Sequence, residues 1–238
     1  MSHPPIVPTE DWQAALNTLH VREKTLTRQL DAVAAARRRL PMTPVEQDYV
    51  FEGLDGPASL ADLFQGRRQL ILYTFMWHGA DDVCPGCSLF TDNVGHPAHL
   101  NARDVTLALT SRGPFVDLMA LRRRMGWTLP WYSSLNNSFN ADMGAGDGFA
   151  LNVFLRADDR IFRTYSTTAR GVERLGSNWT FLDLTPYGRQ ETWEDSPDGW
   201  PQTQPYQWWR LHDEYDTAED PQEPKPGPQP PQCHHSEQ

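Results

Sequence analysis

Positive charge is in deficit in this chain. It has 21 Lys and Arg against 31 Asp and Glu, a net charge of −10 and a pI near 5.2. Binding nucleic acid means neutralising phosphates with a basic face, so that class of partner is excluded. Long apolar runs are missing as well. The longest, Leu70 to Trp77, falls far short of the roughly 20 residues a membrane helix needs, and no membrane partner is expected. The opening Met1-Ser2-His3-Pro4-Pro5 has neither the basic residues nor the apolar stretch of a signal peptide, which points to the cytoplasm. Cysteine is scarce, with three in 238 residues, too few for a disulfide scaffold. Apolar residues are not scarce: 39% of the chain is hydrophobic and nine residues are Trp, enough to bury a core.

The first long segment, Thr9 to Leu40, has the pattern of a helix. Trp12, Leu16, Leu19, Leu26, Leu30 and Val33 recur at spacings of mostly three and four. Thr9 fits an N-cap, with Glu10 and Asp11 in a first turn that favours negative charge, and Pro41 and Pro44 stop the helix. Asp48 to Glu52 is a short strand candidate and Ala58 to Phe64 a short helix. Gln69 to Trp77 is a buried central strand, Cys84-Pro85-Gly86-Cys87 opens a helix, and Asp104 to Thr110 is another buried strand. Pro114 to Met125 is helical, Thr128 to Ser133 a short strand, and 136–148 a loop. Phe149 to Arg156 and Arg160 to Thr167 form a hairpin. Strands alternating with helices, then a late hairpin, imply an α/β fold with a central mixed sheet flanked by helices.

From Trp193 the texture changes. Prolines are interleaved with Trp193, Trp200, Trp208 and Trp209, whose apolar area predicts a docked arm rather than a loose one. From Asp216 the chain turns acidic and rich in Pro and Gln, the composition of a disordered tail.

The sharpest chemical signal is Cys84-Pro85-Gly86-Cys87, placed after a buried strand and at a helix start. A thiol must become a thiolate to attack, and the unpaired N–H groups and positive dipole of a first helical turn stabilise that anion. A second thiol three residues on can close a disulfide across the turn. The same pair also suits a soft metal, copper or zinc, held by Cys84, Cys87 and His78. It also suits two inert, buried thiols in a non-catalytic interaction module.

The string Cys84 to Ser88 with its preceding aromatic strand resembles the thioredoxin-like superfamily. Stretches such as Asp48-Tyr49-Val50-Phe51-Glu52-Gly53, Cys84 to Asn93, Arg124-Met125-Gly126-Trp127, Leu182-Asp183-Leu184-Thr185-Pro186 and Trp209 to Tyr215 resemble the bacterial thioredoxin-like family designated domain of unknown function 899. The resemblance runs from Glu10 to Tyr215. It implies a thioredoxin-like fold. The chain then divides into a helical extension at 1–44, that fold over 45–190, the Trp-rich arm at 191–215 and the tail at 216–238. By analogy with thioredoxins the attacking thiol is Cys84. By analogy with peroxiredoxins of the bacterioferritin-comigratory type it is Cys87, with Cys84 resolving. The chain departs from both patterns. Gly148-Phe149-Ala150 stands where thioredoxins carry a proline, and Cys84 stands where those peroxiredoxins carry threonine.

His78 lies in the loop at the strand end, where an acid, base or ligand could sit. His96 and His99 follow at a spacing that does not fit a zinc finger. Arg112, Arg163 and Arg170 are candidates to hold a thiolate or an anionic substrate, and surface ion pairing is the bland alternative for each. The reading is thiol-dependent oxidoreduction by Cys84 and Cys87 with His78 and Arg112 nearby and no required cofactor. The substrate is a small-molecule or protein thiol or disulfide, and a second copy of the chain is a candidate partner.

Overall fold

The structure is a computed structural model and describes residues 3–215. The acidic, Pro-rich segment read as a disordered tail, with Cys233, lies outside the described residues.

Helix α1 spans Thr9–Arg37, and none of its residues is buried. Thr9 is its first helical residue and not its cap. Pro8 takes the cap position, and its carbonyl accepts from the Asp11 and Trp12 N–H groups, both at 3.1 Å. The short strand β1 (Thr43–Pro44) follows, then β2 (Val50–Gly53) and β3 (Gly56–Ser59). The helix expected over Ala58 to Phe64 is therefore corrected. Ser59 and its predecessors gain ladder bonds to β2, and only Asp62–Phe64 coil into one 3₁₀ turn. That turn is fixed by the Asp62 carboxylate, which accepts from the Ser59 N–H and hydroxyl at 2.7 and 2.6 Å.

Strand β4 (Gln69–Thr74) is central. It is shorter than expected, because the chain leaves the sheet and makes a separate hairpin from β5 (Trp77–Gly79) and β6 (Asp82–Val83). Then come α2 (Pro85–Asp92), α3 (Ala98–Asn101), β7 (Val105–Ser111), α4 (Phe115–Arg124) and β8 (Trp131–Ser133). A short helix, α5 (Phe139–Asp142), interrupts the loop expected over 136–148. Strands β9 (Ala150–Ala157) and β10 (Arg160–Thr167) form the expected hairpin. Its turn residues, Asp158 and Asp159, both have positive φ, which matches the right-handed strand twist. Two short helices, α6 (Arg170–Glu173) and α7 (Ser177–Leu182), close the regular part.

The main sheet has eight strands in the order β1-β10-β9-β4-β7-β8-β2-β3. Strand β4 runs parallel to β7 and antiparallel to β9. The sheet is thus mixed, and from the central strand β4 the chain passes through the β5–β6 hairpin into the thiol-bearing helix α2. Alternation along β4 divides two cores. Leu70 and Leu72 face Phe51, Leu63, Phe64 and Phe154, while Tyr73 points to the opposite core with Cys84, Cys87, Leu89 and Phe90. Among the described residues no helix is long and apolar enough to cross a membrane.

Candidate active site

Cys84 is the N-cap residue of α2, with Pro85 in the first helical position. Proline fits there because its missing N–H would have no intrahelical partner. The Cys84 sulfur accepts the backbone N–H of Cys87 at 3.3 Å, taking the place of a serine or aspartate cap. Cys87 lies one turn deeper, 1% exposed against 6% for Cys84. Its sulfur accepts the Tyr73 hydroxyl at 3.3 Å and the Met76 N–H at 3.4 Å. The Tyr73 ring stacks on Phe90 of α2, with centroids 4.1 Å apart. Strand β4 and helix α2 are thus locked together around the Cys87 sulfur.

The two thiols are held in opposite senses. A hydrogen bond from the Cys87 thiol lowers the pKa of Cys84 against the cost of its burial, and the N–H groups of Cys87 and Gly86 add to the effect. Burial pushes Cys87 well up, and its neighbour Cys84 adds to the rise. Tyr73 is also pushed up, first by burial and then by Cys87, so it stays a hydroxyl donor. Cys84 is accordingly the thiol poised to ionise.

Tyr73 is the site residue that sequence reasoning missed. Its signal was a phenol in the apolar run Leu70–Phe75, since a buried phenol needs a partner.

Of the other candidates, His78 and Arg112 are brought together, though not with the sulfurs. His78 lies on β5 and Arg112 follows β7. Both line a cleft of about 290 Å³ with Phe75, Trp77, Asn140 and Asp147, at the carboxyl ends of the parallel strands. The cleft adjoins the thiols through the backbone, because Met76, between its wall residues Phe75 and Trp77, donates to Cys87. Among the described residues no group of three or more His, Cys, Asp or Glu side chains is arranged to hold a metal ion, so the set Cys84, Cys87 and His78 is not assembled as one. His96 and His99 pack on each other at 6.4 Å. Arg163 donates to the Met143 carbonyl, and Arg170 lies over the Trp193 ring at 3.8 Å.

The chain beyond α7 returns to this site. Trp208 and Trp209 pack against the thiol-side core, and Leu211 is buried in it. The anchor is Glu191, a carboxylate 1% exposed that accepts the indole N–H groups of Trp193 and Trp208 and the backbone N–H of Tyr206. At the far end, Arg124 forks onto Asp213 at 2.7 and 2.9 Å, and His212 meets Asp92 of α2 at 2.8 Å.

Trp209 lies over Gly86, inside the thiol motif. A Cβ at Gly86 would come within 2.5 Å of the indole ring. Gly86→Ala is therefore expected to displace Trp209 and cost about 1–3 kcal/mol. Thermal unfolding and a red shift of tryptophan emission check it.

The profile of a family described as bacterial protein of unknown function (DUF899) matches residues 1–215. A search of curated proteins finds no match. Solved structures with partial similarity include a candidate thiol:disulfide interchange protein DsbE from Chlorobium tepidum. It has 13% identity and a TM-score of 0.41, covering 57% of this chain and 93% of that one. The mitochondrial 2-cys peroxiredoxin from Plasmodium falciparum has 13% identity and a TM-score of 0.40, covering 61% and 96%. An uncharacterized thioredoxin-like protein from Porphyromonas gingivalis has 15% identity and a TM-score of 0.36, covering 55% and 90%.

Proposed function

The chain belongs to the bacterial family of unknown function DUF899, and from the thiol pair it carries we propose a thiol-dependent oxidoreductase with Cys84 as the attacking thiolate and Cys87 as its partner. The observation that carries this reading is the asymmetry of the pair. One sulfur caps the helix and takes its N–H, while the other is buried beneath it against Tyr73.

In the forward direction the Cys84 thiolate attacks one sulfur of a substrate disulfide, forming a mixed disulfide and expelling the other sulfur as thiolate. Cys87 then loses its proton and attacks the Cys84 sulfur. The second substrate thiolate leaves, and a Cys84–Cys87 disulfide remains, to be re-reduced by an external dithiol. Tyr73 and the Met76 N–H stabilise the Cys87 thiolate during that second step. Burial restrains Cys87 from ionising early, so it attacks only once the mixed disulfide sits beside it.

We place the non-reacting part of the substrate in the cleft of His78 and Arg112. Arg112 now pairs with Asp147 at 2.6 Å, with side chains 48% and 91% exposed, and such a pair is weak enough to exchange partners. Arg112→Ala should raise KM for an acidic disulfide such as oxidised glutathione about tenfold while leaving that for hydroxyethyl disulfide unchanged. Equal KM changes for the two would remove Arg112 from substrate binding.

The pH profile tests which thiol attacks. A thiolate is the reacting form, so the alkylation rate rises with pH and levels off above the pKa of the attacking thiol. Because the pKa of Cys84 is lowered, iodoacetamide should label Cys84 along a curve whose midpoint lies below that of an ordinary cysteine. Cys87 should label only at much higher pH. Peptide mapping across the titration distinguishes them, and preferential labelling of Cys87 would reverse the assignment.

A further inference from the structure

Helix α1 carries an apolar seam that nothing in the described residues covers. Trp12, Leu19, Leu26 and Val33 recur every seven residues. Leu16 and Leu30 lie at the complementary positions of the same heptad, with Glu23 between them and Arg37 at the end. A strict seven-residue repeat is the signature of a helix that supercoils with another, and not of one lying on a globular surface. The helix is 29 residues, about 43 Å at 1.5 Å per residue. Its seam residues Trp12, Leu19, Leu26, Leu30 and Val33 are 44% to 54% exposed.

We propose that α1 is a self-association element, through which two copies of this chain pair as an antiparallel two-stranded coiled coil.

Charge selects the partner. The helix carries four acidic residues (Glu10, Asp11, Glu23, Asp31) and four basic ones (Arg22, Lys24, Arg28, Arg37), so it has no net attraction for an anionic membrane or a nucleic acid. The charges are polarised, however. Glu10 and Asp11 open the helix, while Arg37, Arg38 and Arg39 close it. An antiparallel copy sets each acidic end against a basic one and opposes the helix dipoles.

Register agrees with that orientation. Pairing Leu16 with Val33 of the second copy also pairs Leu19 with Leu30, Glu23 with Leu26, and Trp12 with Arg37, and every seam position is used. A parallel pair would set Glu23 against Glu23 and Arg37 against Arg37, two like-charge layers in one seam. Arg37 already lies 5.3 Å over the Tyr165 ring of its own chain, and Trp12 of the second copy would extend that cation–π contact. Area is sufficient. Half-exposed Trp, Leu and Val side chains leave roughly 500 Å² of apolar surface per helix, so pairing covers about 1,000 Å², the size at which a specific interface begins.

Sedimentation equilibrium of the full chain at micromolar concentration tests the proposal. The expected mass is twice the 27.2 kDa of one chain, and Leu19→Glu with Leu26→Glu should return it to one. Because no α1 residue is buried, the variant should unfold at the parent temperature, which separates loss of pairing from loss of fold. Glu10→Lys with Asp11→Lys tests orientation. It should weaken an antiparallel dimer at least about tenfold at low salt, whereas a parallel dimer would be unaffected. A monomeric parent, a monomer that sediments with anionic vesicles, or a dimer that survives the Leu→Glu changes would overturn the proposal. An unchanged dimer in the Lys variant would overturn the antiparallel arrangement.

Discussion

On the proposed reaction Cys84→Ser is expected to abolish disulfide exchange, with at least about a thousandfold loss of turnover, while Cys87→Ser stops that reaction one step later. The two outcomes differ because the two sulfurs have different work. Without Cys84 no thiolate sits at the helix start, where the Cys87 and Gly86 N–H groups would stabilise it. Cys87 is buried and its pKa is raised, so it cannot substitute. With Cys84 intact and Cys87 replaced, the first attack proceeds and nothing resolves it, so a mixed disulfide accumulates. Peptide mapping after incubation with cystine should find that adduct on Cys84 of the Cys87→Ser protein and none on Cys87 of the Cys84→Ser protein. The opposite pattern, an adduct on Cys87 in the Cys84→Ser protein, would make Cys87 the nucleophile.

The second large effect concerns the arm. Truncation after Gln190 removes the Glu191 anchor, Trp208, Trp209 and Leu211, and uncovers the thiol-side core. Burying Leu211 and much of two indoles contributes on the order of 5 kcal/mol at about 25 cal/mol per Å², before ordering costs. Prolines lower those costs by restricting the unfolded chain. At about 2–4 °C per kcal/mol, the truncated protein should melt at least about 10 °C lower. The truncation also uncovers Gly86, so Cys84 should alkylate several-fold faster. Glu191→Ala isolates the anchor. It leaves two indole N–H groups and one backbone N–H without their acceptor, which should cost about 2–4 kcal/mol. If the truncated and full-length chains have equal melting temperatures and equal alkylation rates, the arm contributes nothing to the core.

Local rules made much of this legible. Strand β4 stood out as an apolar run, α2 as a helix because proline follows its cap, and the β9–β10 hairpin as alternation around two aspartates that tolerate positive φ. What could not be read depends on distant partners. Gly56–Ser59 is a strand only because β2 lies beside it. Glu191 looks like any surface glutamate until three N–H groups from residues 193, 206 and 208 converge on it. Tyr73 gives its hydroxyl to a sulfur fourteen residues away in the chain. His78 precedes Cys84 by only six residues, yet the β5–β6 hairpin carries it into the cleft with Arg112, where proximity in sequence had suggested a ligand to the same metal.

The central claim is that Cys84 and Cys87 are one redox unit. It is tested most directly by treating the folded protein with one equivalent of diamide or hydrogen peroxide and mapping the peptides by mass spectrometry. The predicted result is a peptide spanning residues 84–87 that has lost two hydrogen atoms and regains them with reduced dithiothreitol. Both thiols still free to alkylate once the protein is unfolded, with the fold shown intact before unfolding, would contradict it.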